Sequence, residues 1–172
     1  MSLRRLRGGE WLALAGAATL FVALFGDWFG LDPDAFQGAL PRAVAEAVAK
    51  DGWTSLGWLL VAMLVVSIGL AVWLAVATVT GPAAQAIAAA VLATTVGTIT
   101  AIALLIRVLT QPGLGVDAPN GLIDVRAGAY VGLAAMFALA AGAWWSLRDE
   151  RTGAAESGYE PPTARPAPPA TL

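Results

Sequence analysis

The sequence of 172 residues contains no cysteine and no histidine. Without cysteine, disulfides, thiol nucleophiles and iron–sulfur clusters are excluded. Without histidine, the commonest general acid–base group and the commonest ligand of zinc and haem are missing. A metal would have to bind to oxygen ligands alone, and no catalytic, cofactor-binding or metal-binding residue is predicted. Because the chain has no cysteine to oxidise, the sequence does not indicate whether the protein lies in an oxidising or a reducing compartment.

Charged residues are scarce, and no run of basic residues is long. Asp, Glu, Lys and Arg make up 13% of the chain and hydrophobic residues 58%, whereas a soluble domain is about half apolar and about a quarter charged. The net charge is -2, and RRLR at residues 4–7 is the longest basic stretch. The composition therefore indicates a membrane protein and excludes a surface that captures nucleic acid by charge.

Four apolar stretches have the length of membrane spans. A transmembrane helix needs about 20 mainly apolar residues. We predict spans at residues 11–29, 55–77, 86–107 and 127–147. The first uncharged run ends before Asp27 and is the shortest of the four. Its predicted span is therefore extended through Phe29, which places Asp27 at the lipid headgroups. The expected fold is all-α: a polytopic membrane protein in which residues 11–147 form a four-transmembrane-helix bundle.

Basic residues flank the first and last spans on one side of the predicted topology. They are Arg4, Arg5, Arg7, Arg148 and Arg151. Under the positive-inside rule both termini are expected to be cytoplasmic, in a plasma membrane, with residues 1–10 as the N-terminal segment. The bias is modest, because basic residues also lie on the other side: Arg42, Lys50, Arg107 and Arg126. Residues 148–172 lack apolar periodicity, are rich in proline and are expected to form a disordered cytoplasmic tail.

The first 25 residues have a second interpretation. Basic residues followed by an apolar core are also typical of a secretory signal peptide. No clear small-x-small cleavage site follows Phe25, so an uncleaved first span is the favoured interpretation.

The predicted connections differ in length. Outer loops are expected at residues 30–54 and 108–126, whereas Gly81-Pro82 breaks the chain between the second and third spans. This short turn makes those two spans antiparallel neighbours. The first outer loop has an apolar residue at every fourth position, which predicts an amphipathic helix at the bilayer surface. These residues are Phe36, Leu40, Val44 and Val48.

Small residues, rather than charges, characterise the predicted spans. None carries Asp, Glu, Lys or Arg near its middle, which argues against proton pumps and most ion-coupled transporters. Close helix packing is predicted at Gly97, Gly128 and Gly132, of which the last two form a GxxxG pattern. Gly97 lies within a run of threonines: Thr94, Thr95, Thr98 and Thr100. The favoured interpretation is a packed four-helix bundle, and the alternative is a hydroxyl-lined ligand path through the third span.

Tryptophans lie near the ends of the predicted spans. Trp11, Trp28, Trp53 and Trp58 are therefore expected at the membrane interface. The stretch FGDWFGLDPD, residues 25–34, is interpreted as a membrane exit followed by a turn. Its carboxylates would otherwise form an oxygen-only cation site or a catalytic pair, but the EF-hand pattern fails at the next ligand positions.

A charged cluster is predicted at the outer ends of the spans. Arg107 ends the third span, Asp124 and Arg126 open the fourth, and Asp27 lies on the same side. An Arg–carboxylate pair in a partly dry zone is stronger than one in water. Such a cluster acts either as a structural latch or as an anion or lipid-headgroup site.

The fourth span, IDVRAGAYVGLAAMFALAAGAWWSLRDE, resembles the last span of uncharacterised small actinobacterial four-helix membrane proteins. The residues that carry the resemblance are Asp124, Arg126, Gly128, Ala129, Tyr130, Gly132, Leu133, Arg148, Asp149 and Glu150. Trp28 and WTSLGWLL, residues 53–60, match more loosely. The resemblance implies a tetraspan fold with a proline-rich tail and implies no activity. By topology alone the layout is also similar to that of the claudins, although the loop cysteines of that family are absent.

The expected function is that of a non-enzymatic integral membrane protein. It would act as a structural, scaffolding or accessory subunit through helix–helix and outer-loop contacts. Its expected partners are the lipid bilayer and either a second copy of the chain or another membrane protein. The alternative is a small-molecule or lipid-binding, transport-related protein with a site near Arg107, Asp124 and Arg126. A membrane enzyme using Asp27 or Asp32 is the least favoured class, and no cofactor is expected.

Overall fold

The computed structural model describes residues 6–32, 48–110 and 123–148. The helices are α1 (Gly8–Ala23), α2 (Gly52–Ser55), α3 (Trp58–Thr80), α4 (Ala83–Thr110) and α5 (Ala127–Arg148). The strands are β1 (Asp27–Leu31), β2 (Lys50–Asp51) and β3 (Ile123–Val125). Phe36, Leu40 and Val44 of the predicted amphipathic helix, and residues 149–172 of the predicted tail, lie outside the described residues.

The four longer helices pack side by side in a ring. Helix α1 packs against α5 and α3, and α4 packs against α3 and α5, while α3 and α5 face each other across the ring with little contact. The predicted break between the second and third spans is confirmed: α3 ends at Thr80, and the N–H of Gly81 donates to the carbonyl of Ala77 at 2.9 Å. Helix α4 then begins at Ala83, directly after Pro82.

Three helices are long and apolar enough to cross a membrane by length and composition, namely α3, α4 and α5. Their bounds lie close to the predicted spans. Helix α1 has 16 residues and is a shorter apolar helix. It ends at Ala23, so the prediction of helix through residue 29 is wrong. The chain turns at Gly26 and continues as β1, because residues 27–31 pair with two other strands instead of extending the helix.

A small antiparallel sheet lies at one end of the bundle, where the sequence analysis predicted only loop and helix. Its strand order is β2-β1-β3. Phe29 pairs with Lys50 on one side and with Val125 on the other, and Gly30 pairs with Asp124. We call this the sheet end of the bundle. The opposite end, which holds Gly81, the start of α1 and the end of α5, is the turn end.

The long helices expose many large apolar side chains, which is unusual for a soluble protein. Many of the fully buried positions on the long helices are alanine, including Ala13, Ala71, Ala89, Ala93, Ala129 and Ala143. The exposed positions instead carry large apolar side chains, including Phe21, Val66, Ile99, Ile102 and Phe137. In water the larger apolar side chains would be the buried ones. The exposed surface of the bundle therefore has the chemistry of a surface that faces hydrocarbon.

Candidate functional site

Trp28 lies at the centre of the sheet end and is fully buried. Its indole N–H donates to the carbonyl of Ala23 at 2.6 Å. The ring also packs against Gly52 and Gly132. A Cβ added to Gly52 would lie 2.8 Å from Nε1 of the indole, and a Cβ added to Gly132 would lie 2.6 Å from Cη2. Trp28 was predicted as an interface aromatic, whereas the structure encloses its ring within the protein. The early end of α1 turns the residue inward, so it packs between the helices.

The last carbonyls of α1 are bonded by neighbouring segments. Ala23 accepts from the Trp28 indole and from the N–H of Gly26 at 3.0 Å, and Leu24 accepts from the N–H of Gly52 at 3.0 Å. Carbonyls at a helix C-terminus have no partner within the helix and must find one elsewhere. These bonds tie the end of α1 to β1 and to the start of α2.

Arg126 sits at the junction of β3 and α5. Its backbone N–H donates to the carbonyl of Trp28 at 2.9 Å. Its guanidinium lies over Gly30, where an added Cβ would be 2.8 Å from Nη2. The Nε atom is buried and has no hydrogen-bond partner among the described residues. A buried donor on a permanently charged group is costly to leave unbonded, so this atom is the most unusual polar group of the sheet end.

The other members of the predicted charged cluster share this end but do not join Arg126. Arg107, in the last turn of α4, donates from Nη2 to the carbonyl of Ser55 at 3.4 Å. Asp124 is exposed and lies opposite Gly30, and Asp27 is exposed and lies opposite Asp51. Within the described part of the chain no ion pair forms between Arg107 and Asp124. The Arg107 contact instead fastens α4 to α2.

The remaining predicted interface tryptophans have different environments. Trp11 and Trp58 are exposed, at 52% and 82%. Trp53 is half-buried, lies 5.7 Å from Phe25 between ring centroids and has an Nε1 atom without a hydrogen-bond partner. Other exposed Trp and Tyr residues on the long helices were not predicted as interface residues. They are Trp73, Tyr130, Trp144 and Trp145.

The predicted packing glycines make contacts within the chain. Gly97 of α4 faces Ala140 of α5, with an added Cβ 3.4 Å from the alanine Cβ. Gly128 faces the backbone of Asp27, and Gly132 faces the Trp28 ring. The GxxxG face of α5 is thus occupied by β1.

The closest helix pair, α1 with α5, depends on Gly9 and Gly16 of α1, which were not selected from the sequence. A Cβ added to Gly9 would lie 2.7 Å from the backbone nitrogen of Ser146. A Cβ added to Gly16 would lie 2.6 Å from the backbone nitrogen of Leu139. From the other side, Gly142 faces the carbonyl of Gly9. Gly9, Ala13 and Gly16 recur at helical spacing, so the sequence did contain the signal.

The hydroxyl groups of the spans do not line one path. Ser67 of α3 and Thr100 of α4 are buried and hydrogen-bonded at 3.2 Å. Thr95 and Thr98 are exposed on the outer face of α4, and the buried hydroxyl of Thr94 has no hydrogen-bond partner. The threonine run therefore points in several directions, which favours the packed bundle over a ligand path.

Among residues 6–32, 48–110 and 123–148, the structure brings together no group of three or more side chains of the types that hold metal ions.

Comparison of the whole chain with protein-family models, with curated proteins and with solved structures gives no match.

Proposed function

We propose that this protein is a multi-pass membrane protein with four crossing helices and that it acts, without catalysis, as a structural or accessory subunit of a membrane assembly. The observation that carries the proposal is the outward position of the large apolar side chains. Alanine, glycine and several leucines fill the contacts between helices, whereas many Val, Ile, Phe and Trp side chains face outward. In lipid, close backbone packing of small residues holds helices together.

The fourth crossing is assigned to α1 on the basis of its path along α5. Gly9 lies beside Ser146, Gly16 beside Leu139, and Gly26 beside Gly128. Helix α5 has 22 residues, or about 33 Å at the usual helical rise. The segment from Gly9 to Gly26 accompanies nearly all of that length. An α1 that runs beside a spanning helix in this way enters and leaves the same membrane.

The assembly surface is assigned to the outward face of α3 and α4. The glycines of α5 are already occupied by α1 and β1, so they do not serve a partner. On α3, an added Cβ at Gly69 would meet nothing within 4 Å. On α4, Thr95 and Thr98 are exposed. Small and hydroxylated residues are enriched where membrane helices associate, so this face suits a second copy or another membrane protein.

The test is native mass spectrometry of the full chain in lipid nanodiscs. A homo-oligomer or a stoichiometric protein partner supports the proposal, and Gly69→Leu should then reduce its abundance. Ala18→Leu, on the exposed side of α1 and outside this face, is the matched control and should leave the assembly unchanged. A monomer without a protein partner would overturn the assembly role. The proposed plasma-membrane location and cytoplasmic termini are tested separately, by the accessibility of terminal tags in intact cells.

A second candidate function, binding of an anionic lipid headgroup or small anion at the sheet end, is favoured by the unbonded Nε of Arg126. Guanidinium groups bind phosphate oxygens through several parallel hydrogen bonds. The probes are inorganic phosphate and vesicles containing phosphatidylglycerol. Each should raise the unfolding temperature of the unmodified protein and of Arg148→Gln, but not that of Arg126→Gln. An equal rise in both variants would refute a site at Arg126.

A further inference from the structure

The exposed Trp and Tyr side chains of the long helices lie at two levels of the bundle. Four lie near the turn end: Trp11, Trp73, Trp144 and Trp145. Two lie near the sheet end: Trp58 and Tyr130. Trp and Tyr concentrate at both boundaries of a bilayer, because their rings have an apolar body and a polar edge.

Contacts between α1 and α5 place Trp11 at the level of the α5 tryptophans. Gly9 lies against the backbone of Ser146 and of Gly142. An added Cβ at Gly8 would lie 3.7 Å from the Trp145 ring. Gly9 is thus level with about position 144, and since the two helices are antiparallel, Trp11 is level with about position 142 of α5. Trp11 and Trp144 therefore lie within about 3 Å of one level.

Two further contacts place Trp73 and Trp58. Ser67 of α3 is hydrogen-bonded to Thr100 of α4, and Gly97 of α4 faces Ala140 of α5. Thr100 is three residues nearer the sheet end than Gly97, so Ser67 lies level with about position 137 of α5. Counting along α3 from Ser67, Trp73 then lies near the level of position 143 and Trp58 near that of position 128.

The two levels are closer together than the boundaries of an average bilayer. Trp58 and Trp73 are fifteen residues apart, and Tyr130 and Trp144 fourteen, which gives about 21–22 Å at the usual helical rise. Both rings of one helix lean toward its N-terminus, so the rings are separated by the same distance as their Cα atoms. Tilt of the helices would only shorten this distance along the membrane normal.

Two other features agree with a short apolar zone. The 16 residues of α1 are about 24 Å long. At the turn end, the guanidinium of Arg148 lies 4.9 Å from the centroid of the Trp144 ring, so a charge stands directly beside the aromatic level. An average hydrocarbon core is about 30 Å thick.

We infer that the outer surface of this protein is matched to a thin bilayer, with a hydrocarbon thickness of about 21–24 Å. The inference rests on the proposed membrane-spanning function. It specifies the lipid partner by chemistry: short-chain or otherwise thin membranes. In a thicker bilayer the aromatic levels would lie inside the hydrocarbon, and either the bilayer would have to thin or the levels would lose their polar contacts.

The experiment reconstitutes the full chain in phosphatidylcholine vesicles with hydrocarbon thicknesses from about 20 to about 34 Å. Thermal unfolding is followed by circular dichroism. The unfolding midpoint should be highest in the thin bilayers and should fall by about 5 °C by the average thickness. In parallel, bromine-labelled lipids should quench tryptophan fluorescence most strongly when the bromine lies near the headgroups of the thin bilayer.

A pair of variants tests whether the aromatic levels set the preference. Trp73→Val with Val76→Trp moves one indole by three residues, about 4.5 Å toward the turn end, and should shift the optimum toward thicker bilayers. Trp73→Phe keeps the level and should not. An optimum at the average thickness, or no dependence on thickness, would overturn the inference while leaving the membrane function intact. Extraction of the protein from vesicles by alkaline carbonate would instead overturn the membrane function.

Discussion

The ring of Trp28 fills the space beside Gly132, so closely that a Cβ added to this glycine would lie 2.6 Å from Cη2 of the indole. A GxxxG pattern on a membrane helix is commonly a face for a second helix. Here the partner is a buried side chain from a strand of the same chain. The glycine makes room for Trp28, and Trp28 in turn closes the end of α1 through its bond to Ala23.

Gly132→Ala is expected to destabilise the protein by about 1–3 kcal/mol, because a fully buried ring cannot move away from the added methyl group. The measurement is the free energy of unfolding in a mild detergent, followed by circular dichroism. The matched control is Gly69→Ala, on the exposed side of α3, where an added Cβ meets no atom of the described residues within 4 Å. The control should keep or raise the stability, since alanine is the better helix former. Equal effects of the two substitutions would show that Trp28 does not pack against Gly132.

Trp28→Phe is expected to lower the free energy of unfolding by about 2–4 kcal/mol, from the lost hydrogen bond and the smaller ring. The Ala23 carbonyl keeps its bond from the N–H of Gly26, so the substitution does not leave an unbonded acceptor. Trp58→Phe is the control, because Trp58 is exposed. It should change stability by less than about 0.5 kcal/mol. Equal stability of the two variants would contradict the buried, hydrogen-bonded position of Trp28.

The sequence was sufficient to predict the long helices because their signal is local. Uninterrupted apolar runs and the Gly81-Pro82 break lead directly to α3 and α4, and the prediction of α5 needed only its uncharged length. The end of α1 could not be predicted in this way. Residues 24–26 are compatible with a helix, and what stops it is the pairing of β1 with strands distant in the sequence.

The sheet and the Arg126 site were beyond prediction for a related reason. The strands have two to five residues, too few for an alternating pattern, and a pair such as Gly30 with Asp124 is held by backbone atoms that carry no sequence signal. The predicted span boundaries were enough to place four charged residues at one end of the bundle. They could not show which of these residues bond to each other, because that depends on the fold of the loops.

Gly16→Ala is expected to cost more than Gly132→Ala, about 3 kcal/mol or more. The added Cβ would lie 2.6 Å from the nitrogen of Leu139 and 2.7 Å from the carbonyl of Ala135. These are backbone atoms of a helix, so α1 would have to move away from α5 as a whole. Ala18→Leu adds more volume to the exposed side of α1 and should be tolerated. Stability of Gly16→Ala equal to that of the unmodified protein would contradict the α1–α5 packing and, with it, the path assigned to the fourth crossing.

The hydrogen bond between Ser67 and Thr100 is expected to couple α3 and α4 weakly. Each hydroxyl also lies 2.8 Å from a carbonyl of its own helix, that of Met63 or of Val96, so neither is left without a partner when the other is removed. A double-mutant cycle with Ser67→Ala and Thr100→Val should therefore give a coupling of about 0.6 kcal/mol, the usual value for polar contacts between membrane helices. Pairing Ser67→Ala with Thr98→Val, on the exposed face of α4, should give no coupling. A coupling above about 2 kcal/mol would mean that this pair, rather than the packing of small residues, holds the two helices together.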